Sequence, residues 1–186
     1  MMTGRVVTVF GSARPAPGEP DYVLAYEVGA ALADAGFVVC NGGYAGTMEA
    51  SARGAKDAGG RTIGVVTDEF PIRKANLWID TVVTAETMVA RMLELVRRGD
   101  AYVVLKGGTG TLLELAAVWE FMNKKIAPLK PIIVVGDFWE GVVRTVREQL
   151  AAEGRDAASR YVTIVGGAEE CVERLTRALA GRLMTP

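Results

Sequence analysis

The sequence at residues 105–114 reads LKGGTGTLLE. It follows a short apolar run, Ala101–Leu105, and leads into a helical pattern at Thr111–Lys124. A strand, a glycine-rich turn and a helix in direct succession are typical of α/β proteins. Backbone N–H groups at the start of such a helix, together with threonine hydroxyls, can bind a phosphate. The segment therefore predicts a strand-to-helix turn and suggests an anion site at its glycines.

A second interpretation of the same segment needs no ligand. Thr111 and Glu114 are spaced as in a capping box, in which the glutamate reaches back to the N–H of the capping residue. That interpretation accounts for Thr111 and Glu114 but leaves the three glycines of the turn unexplained. The segment is not a P-loop, because the Gly-Lys-Ser/Thr ending is absent. The spacing alone leaves both interpretations open.

The rest of the chain repeats the alternation of apolar runs and helical patterns. We predict strands at Arg5–Phe10, Phe37–Cys40, Thr62–Val66, Thr81–Val83, Ala101–Leu105, Pro131–Val135 and Val162–Val165. We predict helices at Asp21–Ala35, Thr47–Ala58, Glu86–Arg98, Thr111–Lys124, Phe138–Ala152 and Ala168–Arg182. Continuous apolar strands are typical of a parallel sheet covered on both faces. We therefore expect residues 1–186 to form a single doubly wound, Rossmann-like α/β domain with a mostly parallel sheet of about seven strands.

Glycines cluster where three of these strands end. Gly11 and Ser12 follow the first strand, Asn41–Gly46 the second and Lys106–Thr111 the fifth. In open α/β sheets, ligands bind at the carboxyl ends of the strands. The Asn41–Gly46 turn can equally be a tight turn that packs its helix close to the strand. The predicted phosphate- or nucleotide-binding residues are Gly11, Ser12, Gly42, Gly43, Gly46, Gly107, Gly108, Thr109, Gly110 and Thr111.

Arg91 lies on an apolar helical stripe. It shares a face with Met88 and Leu95, which stand three residues before it and four after it. A charge on such a stripe is costly unless it is paired. Arg91 can pair with a ligand phosphate or with Glu114, or it can extend to solvent or pair with Glu94.

The composition excludes several classes of function. The chain has no histidine, so it contains neither a Ser-His-Asp triad nor an imidazole zinc site. Its 21 basic and 22 acidic side chains argue against a general nucleic-acid surface. The two cysteines, Cys40 and Cys171, are far apart and form no metal-ligand spacing. With no targeting segment or long apolar run, we expect a cytoplasmic protein without a membrane partner or a metal site.

Taken in order, these motifs resemble the LONELY GUY (LOG) family, long called "lysine decarboxylase-like". The family pattern Pro-Gly-Gly-x-Gly-Thr-x-x-Glu matches residues 106–114 except at Lys106. The family's earlier glycine turn matches Asn41–Gly46. The resemblance also covers residues 11–12, residues 59–65 and the helix that carries Arg91. It implies hydrolysis of the N-glycosidic bond of a nucleoside 5′-monophosphate, either AMP or a cytokinin riboside monophosphate, to free base and ribose 5-phosphate.

The resemblance further implies which residues act. Family catalysis depends on an arginine and a glutamate, which fall on Arg91 and Glu114, and it needs no cofactor. Family members are dimers or larger homo-oligomers, so the helices at 86–96 and 111–123 are candidate interface surfaces. A lysine decarboxylase is not expected, because no lysine here has a pyridoxal-phosphate context.

Some positions depart from the family pattern. Lys106 replaces a proline, Met92 stands where active members usually have lysine, and Thr47 and Glu49 change the end of the first glycine turn. A carboxylate at Glu49, if it lay beside the anion site, would repel phosphate. An alternative function is therefore a non-catalytic binder or carrier of a phosphorylated ligand, of nucleotide or molybdenum-cofactor type.

Overall fold

The computed structural model describes residues 4–70 and 74–180. Within these ranges the strands are β1 Val6–Phe10, β2 Val38–Asn41, β3 Thr62–Thr67, β4 Thr81–Ala85, β5 Ala101–Val104, β6 Ile132–Val135 and β7 Val162–Val165. They form one sheet in the order β4-β3-β2-β1-β5-β6-β7, and every neighbouring pair is parallel. The sheet therefore confirms the prediction of about seven strands. The sheet was predicted to be mostly parallel, and it is parallel throughout.

Helices cover both faces of this sheet. They are α1 Pro20–Asp34, α2 Thr47–Asp57, α3 Met88–Arg98, α4 Thr109–Asn123, α5 Glu140–Ala152, α6 Asp156–Ser159 and α7 Ala168–Ala180. The doubly wound, Rossmann-like α/β class is confirmed. The helix predicted at Ala168–Arg182 is described as far as Ala180, and its last two residues lie outside the described ranges. The short α6 was not predicted.

Two hydrophobic clusters cover the two faces of the sheet. One packs α1, α2 and α7 onto the sheet through side chains such as Leu32 and Leu175. The other packs α3, α4 and α5 onto the opposite face through side chains such as Leu95 and Trp119. β1, β2, β5 and β6 are apolar at nearly every position because successive side chains enter opposite clusters, and both clusters are hydrophobic.

The strand order reverses between β1 and β5. The chain leaves β1 through α1 towards β2, and it leaves β5 through α4 towards β6. At such a switch point the two connections diverge to opposite faces and open a crevice at the carboxyl ends of the strands. The glycine turns after β1 and β5 therefore lie side by side, with the turn after β2 next to them.

One helix start corrects the capping-box interpretation. Helix α4 begins at Thr109, not at Thr111, and Gly108 is its N-cap residue, which has no side-chain cap. Thr111 therefore lies inside the first turn, so Thr111 and Glu114 do not form a capping box. The other predicted boundaries within the described ranges differ from the structure by at most two residues.

Candidate functional site

The first turn of α4 opens towards solvent. Its first intrahelical hydrogen bond runs from the N–H of Leu112 to the carbonyl oxygen of Gly108, at 3.0 Å. The N–H groups that precede Leu112 in this turn therefore have no acceptor within the helix. A Cβ on Gly107 would lie 2.2 Å from Thr111 Oγ1, whereas Gly108 and Gly110 face open space. Gly107 therefore serves the close turn, and the other two glycines leave the helix end accessible to an anion.

The turn after β1 is joined to the start of α2. The N–H and the hydroxyl of Thr47 both donate to the carbonyl oxygen of Ser12, at 2.8 and 3.1 Å. A Cβ on Gly11 would lie 2.3 Å from Thr47 Oγ1, and one on Gly46 would lie 2.3 Å from Ser12 O. Gly46 also has φ +70°. Gly11 and Gly46 are thus required by the close approach of two loops.

Asn41, which is not among the predicted site residues, fixes the second glycine turn. Its side chain is buried, donates to the carbonyl oxygen of Met48 at 2.8 Å, and accepts from the N–H of Gly43 at the same distance. Gly43 has φ +76°, which favours glycine. A buried asparagine at a strand end beside two glycines is the sequence signal that could have identified this turn clamp.

Arg91 is buried, with 8% of its surface exposed, and it enters the site from α3. Its Nε donates to the carbonyl oxygen of Val65 at 2.7 Å, and its Nη2 donates to that of Gly42 at 3.0 Å. A Cβ on Gly42 would lie 1.8 Å from Arg91 Nη2. The absence of a side chain at Gly42 therefore leaves the space that the guanidinium occupies. The guanidinium neither extends to solvent nor pairs with Glu94.

Glu94 has other partners. Its Oε1 lies 2.7 Å from Arg97 Nη2 and 2.6 Å from Arg98 Nη2, and these hydrogen bonds lower its pKa. The interpretation in which Arg91 pairs with Glu94 is therefore wrong, because the glutamate turns towards the end of α3.

The charges of Glu114 and Arg91 act on each other. Glu114 is partly buried on α4, and desolvation raises its pKa to about 7 in spite of the opposing charge of Arg91. Burial likewise lowers the pKa of Arg91, while the charge of Glu114 opposes that change. A carboxyl group whose pKa lies near neutrality beside a buried cation is a common feature of catalytic sites.

Lys106 lies on the other side of the α4 turn. Its Nζ is 2.9 Å from Asp21 Oδ2 and 5.8 Å from the centroid of the Phe138 ring. It borders a crevice of about 400 Å³ that also contacts Ser12 and Gly107. Lys106 adds a positive charge where the family has a proline, and the ion pair with Asp21 offsets much of that charge.

A second departure from the family pattern turns away from the glycine turns. Glu49 accepts a hydrogen bond from the Tyr22 hydroxyl at 3.0 Å and so faces α1. Met92 is half-buried on α3. The carboxylate of Glu49 therefore has a protein partner of its own.

Three further observations concern the described part of the chain. Its His, Cys, Asp and Glu side chains form no group of three or more that could hold a metal ion. Both cysteines are buried with free thiols, and desolvation raises the pKa of each to about 12. None of its helices combines the length and apolarity needed to cross a membrane.

Comparisons with known proteins agree with this fold. A cytokinin riboside 5′-monophosphate phosphoribohydrolase of Mycobacterium tuberculosis is 39% identical over 115 residues, 61% of this chain and 61% of that protein. The chain therefore spans less than two thirds of that relative's length. A protein of Archaeoglobus fulgidus is 36% identical over 117 residues, 63% of this chain and 76% of that protein.

A solved structure extends the likeness to almost the whole chain. The molybdenum cofactor binding protein from the phototrophic bacterium Rippkaea orientalis has a TM-score of 0.75 and 25% identity, covering 96% of this chain and 99% of that one. The model of the SLOG cluster4 family matches residues 4–172. By these matches and its glycine motifs, the chain belongs to the SLOG cluster4 family and, with it, to the LOG proteins.

Proposed function

We propose that this protein hydrolyses the N-glycosidic bond of a nucleoside 5′-monophosphate, releasing the base and ribose 5-phosphate. The observation that carries the proposal is the Arg91–Glu114 pair beside the open first turn of α4. The M. tuberculosis relative, named for this activity on cytokinin riboside 5′-monophosphates, supports it. AMP and cytokinin riboside monophosphates are the proposed substrates.

The phosphate would bind at residues 107–111. The free amides of the first turn of α4 and the positive end of the helix dipole both favour a dianion there. Gly108 and Gly110 leave space for its oxygens. Ser12 and Gly107 border the adjoining crevice, so a phosphate at the turn would contact the loops after both β1 and β5.

Glu114 would act on the sugar. Cleavage of a glycosidic bond passes through an oxocarbenium-like cation. A carboxylate beside the ribose stabilises that cation and can orient or deprotonate the attacking water. With a pKa of about 7, Glu114 is close to the range in which a general base is both available and effective.

Arg91 would supply the positive charge of the site. Two of its nitrogens bond backbone carbonyls, so the guanidinium is placed before a ligand arrives. It can hold the phosphate or polarise the leaving base, and it orients Glu114 electrostatically. Such a preplaced charge contributes in the transition state because it needs no reorganisation.

A non-catalytic carrier of a phosphorylated ligand is the second candidate. The match with the R. orientalis molybdenum cofactor binding protein spans 99% of that protein. The match with the M. tuberculosis phosphoribohydrolase spans 61% of that relative. Incubating purified protein with AMP and N6-substituted AMP, followed by chromatography, separates the two functions. Release of free base supports the enzyme, whereas tight binding without any release favours the carrier.

AMP is expected to perturb the backbone amide NMR signals of residues 107–111 more than any others. The reason is that phosphate oxygens would accept hydrogen bonds from these N–H groups, which strongly shift amide resonances. Adenosine, which lacks the phosphate, serves as the control and should leave these signals nearly unchanged. The assignment of the phosphate site would be wrong if the largest shifts fell elsewhere, for example in α7.

The protein is expected to be a homodimer through α3 and α4. Apolar side chains on these helices remain exposed, namely Met88, Val89, Leu93, Leu112 and Leu113. Light scattering should give about twice the 19.8 kDa chain mass. Val89→Glu should shift the protein towards monomer, while Val23→Glu, an equally apolar exposed site on α1, should not. A wild-type mass near that of one chain at micromolar concentration contradicts the dimer.

A further inference from the structure

Two aromatic rings lie close to the Arg91 guanidinium. The ring centroid of Tyr44 lies 5.3 Å from Arg91 Cζ, and that of Phe70 lies 5.6 Å away. The two rings also contact each other, with centroids 5.7 Å apart and planes inclined at 49°. Both arginine distances fall within the range of about 6 Å over which a ring attracts a cation. The guanidinium is therefore held by ring faces as well as by carbonyl oxygens.

Tyr44 is itself fixed in place. Its hydroxyl accepts from the N–H of Thr67 at 2.9 Å and donates to the carbonyl oxygen of the same residue at 3.2 Å. At its other end, Asn76 Nδ2 donates to the Tyr44 carbonyl oxygen at 2.8 Å. Hydrogen bonds therefore anchor this buried residue at its hydroxyl and at its backbone.

Arg91 and Glu114 do not form a direct ion pair, although each shifts the pKa of the other. Opposite charges in a poorly hydrated site attract strongly, so something must hold them apart. Nε and Nη2 are taken by backbone carbonyls, and Nη1 has no hydrogen-bond partner within the described ranges. The two rings contact the same guanidinium.

We propose that Tyr44 and Phe70 are positioning residues that keep Arg91 apart from Glu114, so that the gap between the two charges stays open for the sugar of the substrate. This role rests on the proposed phosphoribohydrolase activity. The titratable groups that face Arg91 are Glu114 on α4, Tyr44 in the turn after β2, and Cys40 on β2. Arg91 is the charged group that faces Glu114.

The test measures the titration of Glu114 without substrate. Carbon-13 NMR of the glutamate carboxyl groups, with Glu114→Gln to assign the signal, gives its pKa in each variant. Tyr44→Leu should let Arg91 close onto Glu114 and lower that pKa by about one unit or more. Phe70→Leu should act in the same direction, and because Phe70 is only half-buried, this variant tests the proposal even if Tyr44→Leu does not fold.

Two controls separate positioning from packing. Tyr44→Phe keeps the ring face and should leave the Glu114 pKa within about 0.2 units of wild type, since the cation still meets an aromatic surface. Phe37→Leu removes a buried aromatic side chain from the opposite cluster and should reduce stability without moving this pKa. In an Arg91→Met background, Tyr44→Leu should cause no further shift.

An unchanged or raised Glu114 pKa in both Tyr44→Leu and Phe70→Leu overturns the proposal, because the rings would then only pack. The proposed activity fails differently, since it would be contradicted by wild-type protein that releases no base. If base release is observed, Tyr44→Leu should also lower kcat and move the midpoint of the pH profile downwards, whereas Phe37→Leu should leave that midpoint in place.

Discussion

Glu114→Gln is expected to reduce the release of adenine from AMP by about 10²–10³-fold, the usual loss when one charge-stabilising contact is removed from a transition state. Glutamine retains the size of the side chain but carries no charge to stabilise the ribosyl cation and cannot accept a proton from water. Because Glu114 makes no capping bond in the structure, the substitution removes no helix cap. Chromatography of the free base after incubation measures the effect.

The pH dependence follows from the pKa of Glu114. Burial raises this pKa to about 7, and the carboxylate is the form that stabilises a cation. The rate of base release by the wild type should therefore increase as the pH rises through about 7. In Glu114→Gln, this limb of the pH profile should disappear along with most of the activity.

The same pKa shift makes a prediction for stability. The folded protein holds a proton on Glu114 up to about pH 7, whereas the unfolded chain loses it near pH 4.5. The stabilisation due to this proton is complete below pH 4.5 and is lost as the pH rises towards 7. At pH 8, Glu114→Gln should therefore be more stable than wild type, by about 1–3 kcal/mol. Melting curves at pH 5 and pH 8 measure the difference.

Glu120→Gln provides a matched control on the same helix. Glu120 is exposed, and its nearest cation is Lys124 at 3.6 Å, so its loss should change neither base release nor the pH profile. Equal activity in wild type and Glu114→Gln would contradict the catalytic role of Glu114. A wild type that binds AMP but releases no base would favour the carrier function.

Much of the fold could be predicted because local patterns and tertiary structure agree. Strands such as β5 and β6 are buried on both faces, so their sequences are continuous apolar runs that identify them without any long-range information. Helix ends were less predictable. Thr111 resembled an N-cap, but the turn closes through Gly107, whose missing Cβ lets the chain enter the helix two residues earlier.

The site could be predicted only in part. Arg91 stood out as a charge on an apolar stripe, and the α4 turn stood out by its glycines. The contacts that hold Arg91 could not be predicted, because they join residues 26 and 49 positions apart. The acceptors are backbone carbonyls, which every residue has, so no residue type indicates them. The roles of Tyr44 and Asn41 were missed for a similar reason, since each depends on partners contributed by another segment.

Gly42→Ala is expected to reduce base release by about 100-fold, the typical cost of misplacing a catalytic group by about 1 Å. The added Cβ would lie 1.8 Å from Arg91 Nη2 and 2.5 Å from Met48 Sδ. Both atoms belong to side chains rather than to the backbone, so the structure can yield by moving the guanidinium. The free energy of unfolding should therefore fall by only about 1–3 kcal/mol, the usual cost of overpacking. Activity assays and melting curves on the same preparation measure both quantities.

The double variant Gly42→Ala/Arg91→Met identifies the route of this effect. If the alanine acts by displacing Arg91, it should reduce activity no further once the guanidinium is absent. Gly141→Ala is the matched control: it adds the same methyl group where a Cβ meets open space, inside α5, so it should leave activity intact and stabilise that helix slightly. Wild-type activity in Gly42→Ala would mean that Arg91 does not need its present position. If the two substitutions instead reduce base release additively, Gly42 is needed for the turn itself and not for the position of Arg91.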